Sequence, residues 1–346
     1  MSRELKLGLN AGYWGSDPPA DGTDRVLEAE RLGIDSVWSA EAYGSDAFTP
    51  LAWWGSQTSR IRLGTAIAQI SARTPAATAM AALTMDRLSE GRFVLGLGAS
   101  GPQVVEGWYG AEFAKPLART REFVEIVRRV IAREAPVSFE GEHYRLPLQG
   151  GTGLAKPLKS ILKPQRPDLP IFIAAEGPRN IAQTAEIADG WIAMLYAPSF
   201  DWYYRERLAE GFARDGARGS DETFEVACTI PVALGDDVER AIDELRPFYA
   251  LYFGGMGAKG KGRNFHADVA RRMGYERQID EIQELFLAGR KAEAAAALPA
   301  QLVDDMSLVG PKDRIRDRLD QWRETRVDTL LALADAPTLR VLADLF

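Results

Sequence analysis

The hydrophobic pattern alternates between short apolar runs and longer amphipathic segments over most of the chain. The short runs are rich in strand formers, and the segments between them carry apolar residues at helical spacing. Eight runs are predicted as strands, beginning near Leu5, Ser36, Ile61, Phe93, Ile171, Gly190, Glu225 and Asp328. Strands that alternate with helices in this way are typical of parallel sheets with right-handed crossovers.

The strand–helix alternation is interrupted twice. Residues 137–146 (VSFEGEHYRL) predict a hairpin with its turn at Glu140–Gly141, and an irregular proline-rich stretch follows. Extra helices are predicted after the seventh strand. We therefore predict one domain over residues 1–346, a single (β/α)₈ TIM barrel of the α/β class with insertions at about 134–170 and 254–306. A doubly wound open sheet is the alternative, but the turn after Leu9 lacks the glycine pattern that such a sheet usually carries there.

Composition narrows the possible functions. The 346 residues are 46% hydrophobic and carry a net charge of −7, which argues against nonspecific binding to nucleic acid. No apolar run is long enough to predict a membrane span. The start MSRELKLGLN lacks a signal-peptide core, which predicts a cytoplasmic protein. The single cysteine, Cys228, is predicted to lie in the core, and two distant histidines leave no basis for a multi-histidine metal site.

The glycine-rich stretch 93–110 (FVLGLGASGPQVVEGWYG) is the most informative part of the sequence. A buried strand opens there into a loop of small residues, whose backbone N–H groups could approach a flat or anionic ligand. A tight turn without a ligand explains the same residues equally well. Spacing alone therefore leaves the choice open.

Four segments together carry a resemblance to a known family: SVWSAEAY at 36–43, LGTAIAQ at 63–69, GLGASGPQVVEGWYG at 96–110 and IFIAAEGPR at 171–179. In these segments the chain resembles the luciferase-like monooxygenase superfamily, and within it the oxidoreductases that use the deazaflavin coenzyme F420. The segment LVGPKDRI at 308–315 also fits the start of the family's C-terminal helix. The resemblance spans nearly the whole chain and implies a (β/α)₈ barrel.

The resemblance implies a cofactor site at the carboxyl ends of the strands. A non-prolyl cis peptide at Ala66–Ile67 would bulge against the cofactor ring, and an open helix start at Pro178 would receive a phosphate. The cofactor-binding residues that it implies are Ala66, Ile67, Gln69, Gly98, Ala99, Ser100, Gly101, Gln103, Ala175, Glu176, Gly177 and Arg179. The carboxylate of Glu176 would repel a phosphate, so its backbone is the expected ligand.

Glu41 is the candidate catalytic residue, because it matches an acidic position that lies near the deazaflavin ring in similar enzymes. We expect aromatic neighbours, Trp38, Tyr43 and Trp53, to desolvate its carboxylate and suit it to proton transfer. Several deazaflavin dehydrogenases carry a histidine after this acid, but here the position is Ala42. Alanine at position 42 favours reduction of an activated C=C or C=O bond over alcohol oxidation. It also predicts that no histidine is essential.

Other loops predict the surroundings of the substrate. Four aromatic residues on two loops are candidates for an apolar substrate pocket: Tyr13, Trp14, Trp108 and Tyr109. The loop Gly254–Gly262, with Lys259, Lys261 and Arg263 at or beside it, is either a solvated loop or a lid over the anionic tail of the cofactor. The expected partners are a small-molecule substrate and a second copy of the chain, since similar proteins are often dimers.

Three functions remain open at this point. The leading one is an F420-dependent oxidoreductase that transfers a hydride to or from a small organic substrate. An FMN-dependent monooxygenase on the same barrel is the second, although the 100–103 match and Glu41 favour the deazaflavin. A barrel without activity, used for binding or assembly, is the third and rests on Ala42.

Overall fold

The strands of a computed structural model, which describes residues 4–256 and 264–346, form a closed parallel barrel. The eight barrel strands are β1 Lys6–Gly12, β2 Ser36–Ser39, β3 Arg62–Thr65, β4 Phe93–Gly98, β5 Ile171–Ala174, β6 Gly190–Ala193, β7 Glu225–Leu234 and β8 Thr329–Leu333. Each strand pairs with the next, and β8 pairs with β1 in the register Lys6 to Thr329. The predicted α/β barrel is therefore confirmed, and the open sheet is excluded.

Helices surround the barrel and supply the outer layer. They are α1 Gly22–Arg31, α2 Phe48–Gly55, α3 Pro75–Leu88, α4 Pro102–Gly107, α5 Pro116–Ala132, α6 Pro178–Ile187, α7 Asp201–Phe212, α8 Val238–Ala250, α9 Phe265–Arg272, α10 Glu276–Leu287, α11 Lys291–Ala296, α12 Ala300–Asp305, α13 Lys312–Arg323 and α14 Ala336–Ala343. A 3₁₀ turn covers Pro198–Phe200, and a π-helical turn, Leu251–Gly255, extends α8.

Four short strands lie outside this regular pattern. Ala68–Gln69 continues the line of β3 and pairs with β4, and Leu308–Gly310 pairs with the end of β7. Phe139–Glu140 and Arg145–Leu146 form the predicted hairpin between α5 and β5. The sequence pattern did not indicate α4, α12 or the strand at 308–310.

The barrel interior is filled by large side chains that face small ones. Trp38 and Phe172 lie at its centre with ring centroids 5.9 Å apart, in a buried cluster with Val94, Ile192, Ala227 and Leu331. Gly64 lies opposite Trp38 in the β2–β3 register, and a Cβ there would lie 2.3 Å from the indole. Glycine at this position is therefore what lets the tryptophan fill the barrel.

Two larger apolar layers hold the helices. The main one lies between strands and helices and contains Cys228, which is fully buried as predicted. Burial raises the pKa of the Cys228 thiol, so it stays an inert core group. A second layer under α8–α12 contains Tyr249, Phe253 and Ile282 and covers the side of the barrel next to β7. Every helix in the described part of the chain falls short of the length or apolar character that a membrane crossing requires.

Candidate active site

The backbone bulge after β3 is the centre of the candidate site. The Ala66–Ile67 peptide bond is cis, as the family resemblance implied. The amide of Ala66 donates to Ser39 O at 2.7 Å, and Ile67 O accepts from the amide of Glu41 at 3.2 Å. The bulge is therefore attached to the loop after β2 on both sides of the cis bond.

Glycine at 98 lets the end of β4 approach this bulge. A Cβ on Gly98 would lie 2.8 Å from Cγ1 and Cδ1 of Ile67. Ser100 follows in a left-handed conformation with φ near 59°, which turns the chain sharply before Gly101 caps the start of α4. The side-chain amide of Gln103 then reaches Met256 O at 3.4 Å, after the π-helical turn.

The carboxylate of Glu41 is buried and accepts four hydrogen bonds. Backbone amides of Gln69 and Ala47 donate to it at 2.7 and 3.2 Å, and Arg73 Nη1 lies 2.9 Å from each of its oxygens. The side-chain amide of Gln69 in turn donates to the carbonyl groups of Glu41 and Ala42. These contacts join the β2 loop, the β3 bulge and the start of α2.

The surroundings of Glu41 differ from those expected from the sequence. Trp53 is 64% exposed, and Trp38 is buried inside the barrel. Arg73 takes their place as the main neighbour, and no sequence pattern indicated this ion pair. Asp46 lies beside it, and although its burial opposes ionisation, hydrogen bonds from Thr49 and Phe48 and the charge of Arg73 lower its pKa.

The aromatic residues expected in a substrate pocket lie on loops that contact one another. Trp14 donates its amide to Ser45 Oγ, which places the β1 loop on the β2 loop. The Tyr109 hydroxyl lies 3.4 Å from Ala42 O, and burial followed by the charge of Glu41 raises its pKa. Tyr13 and Trp108 are exposed, the latter by 65%.

The loop after β5 presents an open helix start. Two carbonyl groups of this loop accept hydrogen bonds from side chains: Trp191 Nε1 donates to Ala175 O at 2.8 Å, and Arg272 donates to Glu176 O at 2.9 Å. Gly177 caps α6 without a side-chain hydrogen bond. Within the described ranges, the amides of Arg179 and Asn180 donate to no backbone acceptor, and the exposed Arg179 side chain has no ion-pair partner.

Glu176 has a partner that sequence reasoning missed. Its Oε1 lies 2.7 Å from Nδ1 of His266, a residue 90 positions away at the start of α9. Burial alone would lower the pKa of His266, but the charge and hydrogen bond of Glu176 outweigh it and raise the pKa. The cations of the predicted lid, Lys259, Lys261 and Arg263, lie outside the described residues.

Comparisons with known proteins show which proteins the whole chain resembles. A protein of Mycobacterium tuberculosis provisionally named as a coenzyme F420-dependent oxidoreductase is 55% identical over 348 residues, covering 100% of both chains. The F420-dependent glucose-6-phosphate dehydrogenase of Amycolatopsis mediterranei is 28% identical, covering 84% of this chain and 87% of that protein. A solved structure of the coenzyme F420-dependent tetrahydromethanopterin reductase of Methanopyrus kandleri matches the fold with a TM-score of 0.79 at 21% identity, covering 98% of this chain and 97% of that one.

The model of the luciferase-like monooxygenase family matches residues 6–329, a range that includes all the site residues described above. Because this model matches nearly the whole chain and a relative is 55% identical over its full length, the chain belongs to the luciferase-like monooxygenase family.

Proposed function

We propose that the protein is an oxidoreductase that binds coenzyme F420 and transfers a hydride between it and a small organic substrate with an activated C=O or C=C bond. The proposal rests on one observation above all. The bulge at Ala66–Ile67, the loop at Gly98–Ser100 and the open start of α6 all follow carboxyl ends of barrel strands. This end of a barrel is where enzymes of this fold place their chemistry.

The residues present fit such a cofactor. The missing Cβ of Gly98 lets the glycine-rich loop after β4 pack directly against Ile67, which brings the two backbone segments proposed to border a flat ring next to each other. An anionic tail needs donors, and the first turn of α6 with Arg179 offers amides and a guanidinium that have no partner in the described ranges. When bound, the deazaflavin would supply the hydride chemistry.

The chain's own residues would then hold and orient the reactants. Gln69, Ala99, Gly101 and Gln103 would border the ring, and Ala175, Glu176 and Gly177 would carry the backbone toward the tail. Tyr13, Trp14, Trp108 and Tyr109 would exclude water from the substrate. Proton transfer by Glu41 stays a prediction, because its four hydrogen bonds equally support a positioning role.

Anaerobic titration with oxidised F420, and separately with FMN, tests the cofactor. We expect the absorption spectrum of F420 to change on binding to the protein. Its dissociation constant should be at least tenfold below that for FMN. Tighter binding of FMN would support the monooxygenase, and binding of neither would support a barrel without activity. Reduced F420 is then mixed with ketones, aldehydes and enones in turn. The class of compound that oxidises the cofactor, seen as a change in its absorption spectrum, identifies the substrate class.

A further inference from the structure

The pair His266–Glu176 lies on the loops after β7 and β5, beside the proposed cofactor site. Nδ1 of His266 is held at 2.7 Å by Glu176, and Nε2 has no hydrogen-bond partner among the described residues. One nitrogen is thus oriented by a carboxylate, and within residues 4–256 and 264–346 no group competes for the other. This is the arrangement of a general acid that is positioned by a second residue.

The groups packed around the pair define its electrostatics. Tyr252 lies edge-on to the imidazole with centroids 5.0 Å apart. Arg272, on the same helix as His266, binds the backbone oxygen of Glu176 and leaves its carboxylate to the histidine. Tyr204 lies close enough to Glu176 and Arg272 for their charges to affect its pKa, but burial dominates and raises that pKa.

The pair faces the mouth of the barrel. Burial raises the pKa of Tyr252, and the charges of Tyr13, Glu176 and Tyr43 raise it further. Tyr13 and Tyr43 follow β1 and β2; β1 lies across the barrel from β5, and β8 separates it from β7. Side chains from both sides therefore share one space above the barrel. The His266 side chain remains 25% exposed there, and that of Glu176 13%.

We propose that His266 is the residue that protonates the substrate, with Glu176 as its positioning residue. The inference rests on the proposed function. As the hydride and its electron pair reach the carbonyl carbon, the C=O π bond breaks and its electrons move to the oxygen. That oxygen takes the proton from Nε2 of His266, and the neutral imidazole regains a proton from water. The cofactor is oxidised by two electrons and the substrate is reduced by two.

Proton NMR tests the state of the pair without any turnover. The chain has only two histidines, His143 and His266, so His143→Gln leaves one imidazole to titrate. We expect the pKa of His266 to lie above 6.5 and to fall in Glu176→Gln. An unshifted pKa in both proteins would overturn the pairing.

Fluorine NMR with pentafluorophenolate tests whether the pair meets a substrate oxyanion. This probe is anionic at pH 7.5, and it is added to the protein with F420. We expect His266→Gln to weaken its binding at least tenfold and His143→Gln to leave it within twofold. Glu176→Gln should weaken binding at pH 7.5, because the histidine loses the carboxylate that favours its charged form, and the conservative Glu176→Asp should recover part of it. A merely structural role of Glu176 would not make binding depend on the charge at position 176.

The outcomes separate the two proposals. If wild type and His266→Gln bind the probe equally, or neither binds it, the assignment of His266 is wrong even when F420 binds normally. If the wild type does not bind F420 in the absorption titration, the proposed function fails and the assignment fails with it.

Discussion

Nη1 of Arg73 lies 2.9 Å from both carboxylate oxygens of Glu41, and this ion pair joins the loop after β2 to the turn after the β3 bulge. A turn that begins at Gln69, whose carbonyl accepts from the amide of Ala72 at 3.1 Å, leads from the bulge to Arg73. The backbone amide of Gln69 donates to Glu41 at 2.7 Å. Glu41 is therefore held by both the backbone of the bulge and the charge of Arg73.

Removal of Arg73 is expected to destabilise the fold. Arg73→Met leaves the Glu41 carboxylate buried without its cation. Breaking a fully buried pair costs about 3–5 kcal/mol, and we expect roughly 2 kcal/mol here because a quarter of the Arg73 side chain is exposed. Urea unfolding measures the loss. Arg316→Met, in an exposed pair with Asp313, is the control and should change stability by less than about 0.5 kcal/mol.

Glu41→Gln distinguishes positioning from proton transfer. The amide keeps the shape of the side chain but accepts fewer of the four hydrogen bonds, so the bulge at Ala66–Ile67 should loosen. We expect weaker F420 binding, measured by absorption titration, together with lower stability. A fall in turnover of about 10²–10⁴-fold with unchanged F420 affinity and stability would instead assign the proton transfer to Glu41.

Arg179→Ala is expected to weaken cofactor binding without unfolding the chain. One charge-assisted hydrogen bond to a phosphate contributes about 1.5–3 kcal/mol, or roughly ten- to a hundredfold in Kd. The matched control is Arg31→Ala at the end of α1, since helices of this barrel run back toward the amino ends of the strands. Equal F420 affinity in both variants would mean that Arg179 is only solvated.

Gly96→Ala tests how closely β3 and β4 approach one another. A Cβ at residue 96 would lie 1.7 Å from Thr65 O, which is backbone and has little room to move. We expect a loss of about 3 kcal/mol or more in the free energy of unfolding. Gly235→Ala has open space around its Cβ and serves as the control. Similar melting temperatures for the two variants would contradict the packing described here.

The stability of the fold should depend on pH through His266. Its pKa is raised in the folded state, so protonated His266 stabilises the fold fully below its unfolded pKa of about 6.5. That contribution is lost as pH rises through the folded pKa. Urea midpoints of the wild type, relative to Glu176→Gln, should therefore fall across this range. A constant difference between the two proteins would show that the pair does not titrate.

Local sequence signals predicted much of the barrel and little of the charge network. The strands Ser36–Ser39, Ile171–Ala174 and Glu225–Leu234 begin where they are predicted, because turn residues precede these buried β-branched and apolar runs. The strand predicted to begin near Ile61 is interrupted after Thr65 by the cis bond, which only the family resemblance indicated.

The ion pairs of the site could not be inferred in the same way. Glu41 and Arg73 are 32 residues apart, and Glu176 and His266 are 90 apart. No periodic pattern links such positions, since their contact depends on how closed strands bring distant loops together. The unusual carboxylate in the expected phosphate loop was the one sequence signal that pointed to a missing partner.

The order of strands around the barrel divides the site along the chain. Residues that border the bulge, from Glu41 to Gln103, come from the first four strands and the loops after them, whereas Glu176, Arg179 and His266 come from the last four. Recombination between related genes at the irregular stretch 146–170 would therefore exchange the acid and the anion-binding helix as one block. The proposed platform for the ring would stay in one block with the four aromatic residues of the candidate substrate pocket, so a hybrid would keep its substrate surroundings and change its proton donor.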